Sequence, residues 1–129
     1  MSETFTLTNT TKAKLPLAFD ILEEMKDTVL GKDYDLSVNI VSLEEIHALN
    51  MKHRGIDKPT DILSFPLDDK NGEIYINIEC THEEAPKFER TYENFFAFLF
   101  IHGLVHLKGM DHGSTMESME AKFRKKFGV

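Results

Sequence analysis

Apolar residues recur along the chain with two periods, and the switches between them divide it into short strands and longer helices. Phe5 and Leu7 alternate with threonines, the pattern of a short edge strand. Between Thr11 and Leu30, residues Ala18, Ile21, Leu22, Met25 and Val29 fall on one helical stripe, which Gly31 ends. Leu36, Val38 and Ile40 alternate as a second strand. Ser42 and Glu45 frame a capping box, each side chain satisfying the other's backbone donor, and predict a helix to about Met51. Ile62 to Phe65 reads as a strand stopped by Pro66. Asp68 to Gly72 is turn chemistry, and Ile74, Ile76 and Ile78 alternate in a further strand. The acidic stretch from Glu79 to Thr91 predicts a loop or an exposed helical turn.

Two helices complete the pattern. From Phe95 to Leu107, ten of the thirteen residues are apolar, the exceptions being His102, Gly103 and His106. A helix apolar on all sides belongs at the centre of a core. The last helix, about Thr115 to Phe127, carries Met116, Met119, Phe123 and Phe127 on one side. Its late Lys122, Arg124, Lys125 and Lys126 suit a helix C-terminus, where cations are favoured. The predicted architecture is α+β: a small mixed β-sheet of about four strands packed with about four to five helices, with a central buried helix carrying two candidate metal ligands. The 129 residues predict one domain, 1–129, large enough for its own core.

Composition narrows the function. With Cys80 the only cysteine, neither an intrachain disulfide nor a cysteine-based zinc cluster can form. No apolar run approaches the roughly 18 residues of a membrane span, and the first residues lack the basic-then-apolar pattern of a signal peptide. The expectation is a cytoplasmic protein with no membrane partner. Lys and Arg total 15 against 22 Asp and Glu, a net charge of −7. That disfavours a protein that grips nucleic acid over its whole surface, because such binding is largely counterion release, but it permits a local basic cleft.

The segment His102-Gly-Leu-Val-His106-Leu-Lys-Gly109-Met-Asp111-His112 carries the chemistry. His102 and His106 are four apart, so on a helix they share a face about 6 Å apart along the axis, where two imidazoles can converge on one cation. Gly109 is a natural helix stop, after which His112 can return as a third ligand. Three imidazoles with an open fourth position describe a catalytic zinc site. A lone histidine in an apolar helix is usually a hydrogen-bonded core residue. Two buried without a shared partner would cost roughly 1–3 kcal/mol each, which favours the metal. His47 and His82 read as solvated, and His53 is undecided.

The same spacing matches the zinc signature of metzincin proteases, which need a glutamate beside the first ligand as general base. Gly103 stands there and can take no proton, so peptidase chemistry is excluded while the metal site remains. Glycine within a helix costs roughly 0.5–1 kcal/mol relative to alanine, so its missing side chain should admit something close, either another backbone segment or a substrate at the metal. Upstream, Asn50 to Pro66 reads as a firm loop joining helix to strand. It holds Lys52, Arg54 and Lys58 in an otherwise acidic chain, with Asp57 and Asp61 as available local partners. An arginine fork suits two phosphate oxygens.

Together these blocks resemble a known family. His102 to His112 is similar to the H-G-x-L-H-L-x-G-x-D-H signature of the YbeY family of metal-dependent endoribonucleases. Arg54-Gly55 through Lys58-Pro59-Thr60-Asp61-Ile62-Leu63-Ser64-Phe65-Pro66 resembles that family's R-G-x-x-x-P-T-D-V-L-S-F-P, and Met116 to Glu120 its M-x-x-x-E helix. The resemblance implies a single-strand-specific endoribonuclease of rRNA maturation, acting at the 3′ end of 16S ribosomal RNA and in ribosome quality control. It implies one Zn2+ per chain held by His102, His106 and His112. Arg54 and Asp111 are the implied catalytic residues, with Arg54 near the scissile phosphate and Asp111 orienting a ligand imidazole or the water. Arg54, Lys58 and Ser64 are the candidate substrate contacts. The implied partners are precursor rRNA and the ribosome or its proteins, with no DNA. The alternatives are a metal hydrolase of another bond, such as an amide or a small phosphate ester, and a non-catalytic ribosome-assembly factor with structural zinc.

Overall fold

The computed structural model of the chain describes residues 4–109 and 113–129. Its elements run β1 (Phe5–Asn9), α1 (Phe19–Leu30), β2 (Asp35–Ile40), α2 (Leu43–Arg54), β3 (Ile62–Asp68), β4 (Asn71–Ile76), α3 (Ile78–Glu84), a 3-10 turn (Ala85–Phe88), α4 (Tyr92–Leu107) and α5 (Ser114–Phe127). The four strands form one mixed sheet in the order β1-β2-β4-β3, with β3 antiparallel to β4 and the other pairs parallel. This is the expected α+β architecture.

Alternation along the central strands sorts the two faces. Leu36, Val38 and Ile40 of β2 and Ile74 and Ile76 of β4 are buried on the face covered by α4 and α1. Val41 and Leu63 pack with Ile46 of α2 in a smaller cluster, which Tyr75 and Phe65 flank. The predicted central helix is α4: Phe96, Phe100, Ile101, Leu104 and Val105 are all within 1% of complete burial.

The boundaries depart from expectation where side chains outcompete periodicity. α1 begins at Phe19, not Thr11. Asn9 Oδ1 accepts from the Thr11 N–H at 2.9 Å and its amide donates to the Ala13 carbonyl, folding that stretch into a turn, and Pro16 then holds the preceding residue extended. Ala18 is therefore an exposed N-cap residue and Ile21 is 41% exposed, leaving Leu22, Met25 and Val29 as the buried stripe. β3 continues through Pro66, paired with Gly72, because an edge strand can accommodate a residue without an N–H. β4 ends at Ile76 because Asn77 caps α3, accepting from the Cys80 N–H at 2.9 Å and donating to the Val41 carbonyl at 3.0 Å. Ile78 opens that helix and is not strand. The acidic stretch is thus α3 and the 3-10 turn, and α4, capped by Thr91, begins at Tyr92, three residues before the expected start. The Ser42 half of the capping box is formed, with the Glu45 N–H donating to Ser42 Oγ at 3.1 Å.

Gly103 sets how closely α4 lies on the sheet. A Cβ there would stand 2.9 Å from Ser64 Oγ, 3.0 Å from Ile62 Cδ1 and 3.3 Å from Ile74 Cδ1. The close neighbours are therefore side chains of β3 and β4, and not the backbone segment or substrate anticipated from sequence. Gly103→Ala should destabilise the fold by about 1–3 kcal/mol in chemical denaturation, overpacking outweighing the roughly 1 kcal/mol gain in helix propensity. Ser64→Ala removes the nearest atom and should recover part of the loss in the double variant. A Gly103→Ala protein more stable than the parent would show that the sheet yields freely.

Candidate active site

His102 and His106 stand one turn apart on α4, both half-buried, with ring centroids 4.8 Å apart and planes at 85°. They are the two polar side chains in the last three turns of an otherwise apolar helix. His102 Nδ1 is hydrogen-bonded to Glu120 Oε1 of α5. Glu120 is buried, and its second carboxylate oxygen lies 3.6 Å from Arg124 Nη1 one turn on. A carboxylate accepting from Nδ1–H fixes the tautomer and leaves Nε2 with its lone pair, the arrangement in which imidazole serves as a metal ligand. The donor set therefore fits a borderline cation such as zinc. Among the described residues, no three His, Cys, Asp or Glu side chains come together as a metal-holding group. His112, the expected third ligand, and Asp111 lie outside the described residues. At the end of α4, Gly109 has φ of +90° and its N–H donates to the His106 carbonyl at 3.0 Å, the expected helix stop.

The imidazoles open onto a cleft of about 460 Å³. Residues 60–65, which lead into and form β3, make one wall; Leu99, His102 and His106 of α4 make the other, and Arg54 stands at the rim. Arg54 is the last residue of α2 and exposed, not a loop residue as expected. Ser64 lines the cleft. Lys58 is exposed and is not among the lining residues; its carbonyl accepts from the Asn50 amide at 2.9 Å, which ties the connection back to α2. Among the described residues no carboxylate lies within ion-pair distance of Lys52, Arg54 or Lys58. Asp57, anticipated as a partner for these cations, pairs with His47 at 2.7 Å instead.

Two further carboxylates belong to this region, and sequence reasoning gave neither a role in the site. Asp61 lines the cleft, and burial raises its carboxyl above the ordinary carboxylate range, with the Glu84 charge adding to the effect. Such a group is suited to hold or pass a proton beside the imidazoles. Glu120 was legible only as part of the Met116-to-Glu120 motif. Its one available signal was an acid four residues after Met116 on the helix face that turns inward, since both are buried. The remaining histidines are peripheral. His47 pairs with Asp57, His82 stacks on Tyr92 at 3.8 Å, and His53 lies 4.6 Å from the Phe65 ring.

The chain is similar to known proteins along most of its length. A family model described as endoribonuclease YbeY matches residues 3–127. The endoribonuclease YbeY of Aliarcobacter butzleri is 42% identical over 97 residues, covering 70% of this chain and 68% of that protein. The Thermotoga maritima endoribonuclease YbeY is 40% identical over 106 residues, covering 81% and 70%. A solution structure of a Thermotoga maritima protein superposes with a TM-score of 0.68 at 32% identity, covering 96% of this chain and 89% of that one. The chain belongs to the endoribonuclease YbeY family.

Proposed function

We propose that the protein is a zinc-dependent endoribonuclease that hydrolyses phosphodiesters of single-stranded RNA during rRNA maturation in the cytoplasm. The observation that carries this reading is the cleft in which a helical pair of imidazoles faces a wall from β3, lined also by Arg54, which has no carboxylate within ion-pair distance among the described residues. The name endoribonuclease borne by relatives at 42% and 40% identity supports RNA as the substrate.

In this reading His102, His106 and His112 hold one zinc per chain. Zinc so bound supplies Lewis acidity at a phosphoryl oxygen and brings the pKa of water towards neutrality. The protein's own groups do the rest. Glu120 keeps the proton of His102 on Nδ1. Arg54, with no carboxylate within ion-pair distance among the described residues, binds the phosphate and offsets the charge that grows on its oxygens. Asp61 is placed to exchange a proton within the cleft, and Ser64 offers a hydroxyl to the strand. Asp111 orients a ligand imidazole or the water, and Lys58 meets the RNA outside the cleft. With a net charge of −7, the protein relies on the ribosome or its proteins for much of its affinity. Incubation of the zinc-loaded protein with precursor rRNA, followed by end mapping, tests the activity; intact precursor with a metal-dependent fold would favour an assembly factor.

Three expectations follow for variants. His106→Ala should lose its metal at neutral pH by elemental analysis, full occupancy being the contrary result, and parental binding should weaken as pH falls because only neutral imidazole ligates. Arg54→Ala should change stability by no more than about 0.5–1 kcal/mol, since the side chain is exposed, yet cut cleavage by about 10–1000-fold. Arg54→Lys should restore only part of that loss, because lysine lacks the bidentate fork. Glu120→Gln, read by chelator competition, should weaken metal affinity by about 10–100-fold; unaltered affinity would limit Glu120 to holding α5 on α4.

A further inference from the structure

A second groove, of about 570 Å³, adjoins the cleft and shares Leu99 and His102 with it. Phe88, Phe98 and Arg124 line it together with Glu117 and Glu120, while Arg90 lines a neighbouring hollow that shares Phe88. Phe88 closes the 3-10 turn and is 53% exposed, and it is the one aromatic among the large exposed apolar residues of those described. It is not a loose surface ring. It stacks on Phe95 at 4.9 Å and lies 6.0 Å from Phe98, so its position is set from beneath while one side stays open.

Two arginines converge on the same ring system. Arg90 Cζ lies 4.5 Å from the Phe98 centroid and Arg124 Cζ 5.1 Å from it. Arg124 has Glu120 as a neighbour at 3.6 Å, while Arg90 bonds the neutral Asn94 side chain and has no carboxylate partner among the described residues. Burial, and then the Arg124 charge, lower the Arg90 pKa from its usual value. Two guanidiniums thus lie against one ring, and Arg90, without a carboxylate partner among the described residues, is the one an anion would neutralise. An exposed aromatic beside arginines is an arrangement by which proteins hold single-stranded nucleic acid, the ring taking a base and the cations the backbone.

We propose that this groove, with the adjoining hollow that Phe88 and Arg90 line, is a nucleotide subsite in which Phe88 stacks on one base of single-stranded RNA and Arg90, with Arg124 near it, binds the adjoining phosphate. The strand then continues past His102 into the cleft and out beneath Arg54. The inference rests on the endoribonuclease reading and adds to it a reason for single-strand preference: a base can reach the Phe88 face only when it is not paired.

The test is rapid mixing of the zinc-loaded protein with a single-stranded oligoribonucleotide carrying 2-aminopurine, read before cleavage. Stacking on Phe88 should quench the fluorophore. Phe88→Leu, which keeps apolar bulk over Phe95, should abolish the quenching and weaken binding by about 5–100-fold, while Phe88→Tyr should retain both. Arg90→Gln should lower the slope of log affinity against log salt by about 0.7. Unlabelled duplex RNA should compete poorly. Parental quenching and affinity in Phe88→Leu, with RNA still cleaved, would overturn the subsite and leave the nuclease standing. A parent protein that binds no single-stranded RNA would overturn both.

Discussion

The site depends on how near α4 can lie to the sheet. Two imidazoles on a helix are useful only if the helix holds them against a second wall, and here that wall is β3. Contact at this distance requires that the residue between His102 and the next turn have no side chain, because Ser64, Ile62 and Ile74 already fill the space. The same approach that seals the core beneath Gly103 brings Ser64 into the cleft beside His102. Core packing and cleft geometry are therefore one constraint. Residues 60–65 carry it from the sheet side, with Leu63 buried on one face and Ser64 turned towards α4 on the other.

The second support comes from α5. A half-buried imidazole with a free ring could rotate about its side-chain bonds, and each alternative rotamer would aim a different nitrogen into the cleft. Glu120 removes that freedom by accepting from Nδ1, and its own burial is tolerable because Arg124 lies beside it. The Glu120–Arg124 pair thus joins two functions: one end orients His102 and the other presents a guanidinium to Phe98. The last helix, whose basic residues have an adequate explanation in the helix dipole, contributes at least one of them to something more specific.

Much of this was legible in the sequence because it is local. Helical spacing alone puts His102 and His106 on one face, and the apolar residues around them put that helix in the core. The strands were read where alternation was clean, at Leu36, Val38 and Ile40. What escaped depends on groups distant in sequence or on side chains that cap. Asn77 ends β4 and opens α3 through two hydrogen bonds that no periodicity records. The extension of α2 to Arg54 turns a presumed loop cation into a helix-terminal one. Glu120 lies eighteen positions from the imidazole it holds, so only the packing of α5 on α4 reveals it. Asp61 looked like a counter-ion for nearby lysines, yet burial in the cleft wall raises its pKa instead.

The net charge of −7 and an RNA substrate are compatible once the positions of the charges are considered. Lys52, Arg54 and Lys58 cluster at the end of α2 and just beyond it, with no carboxylate neutralising them among the described residues. Arg90 and Arg124 gather at the other end of the connected cleft and groove. Between these two groups lie the imidazoles and Ser64, with Asp61 in the cleft wall and Glu117 and Glu120 along the groove. A backbone of negative charge is thereby attracted at two points along one path. A uniformly basic surface would hold RNA anywhere and in any form; two arginine sites separated by a narrow cleft favour a strand that threads from one to the other. Acidic residues elsewhere then act as a filter, repelling nucleic acid that does not enter by this route. On this argument the negative balance of the whole chain sharpens selection of the path through the cleft.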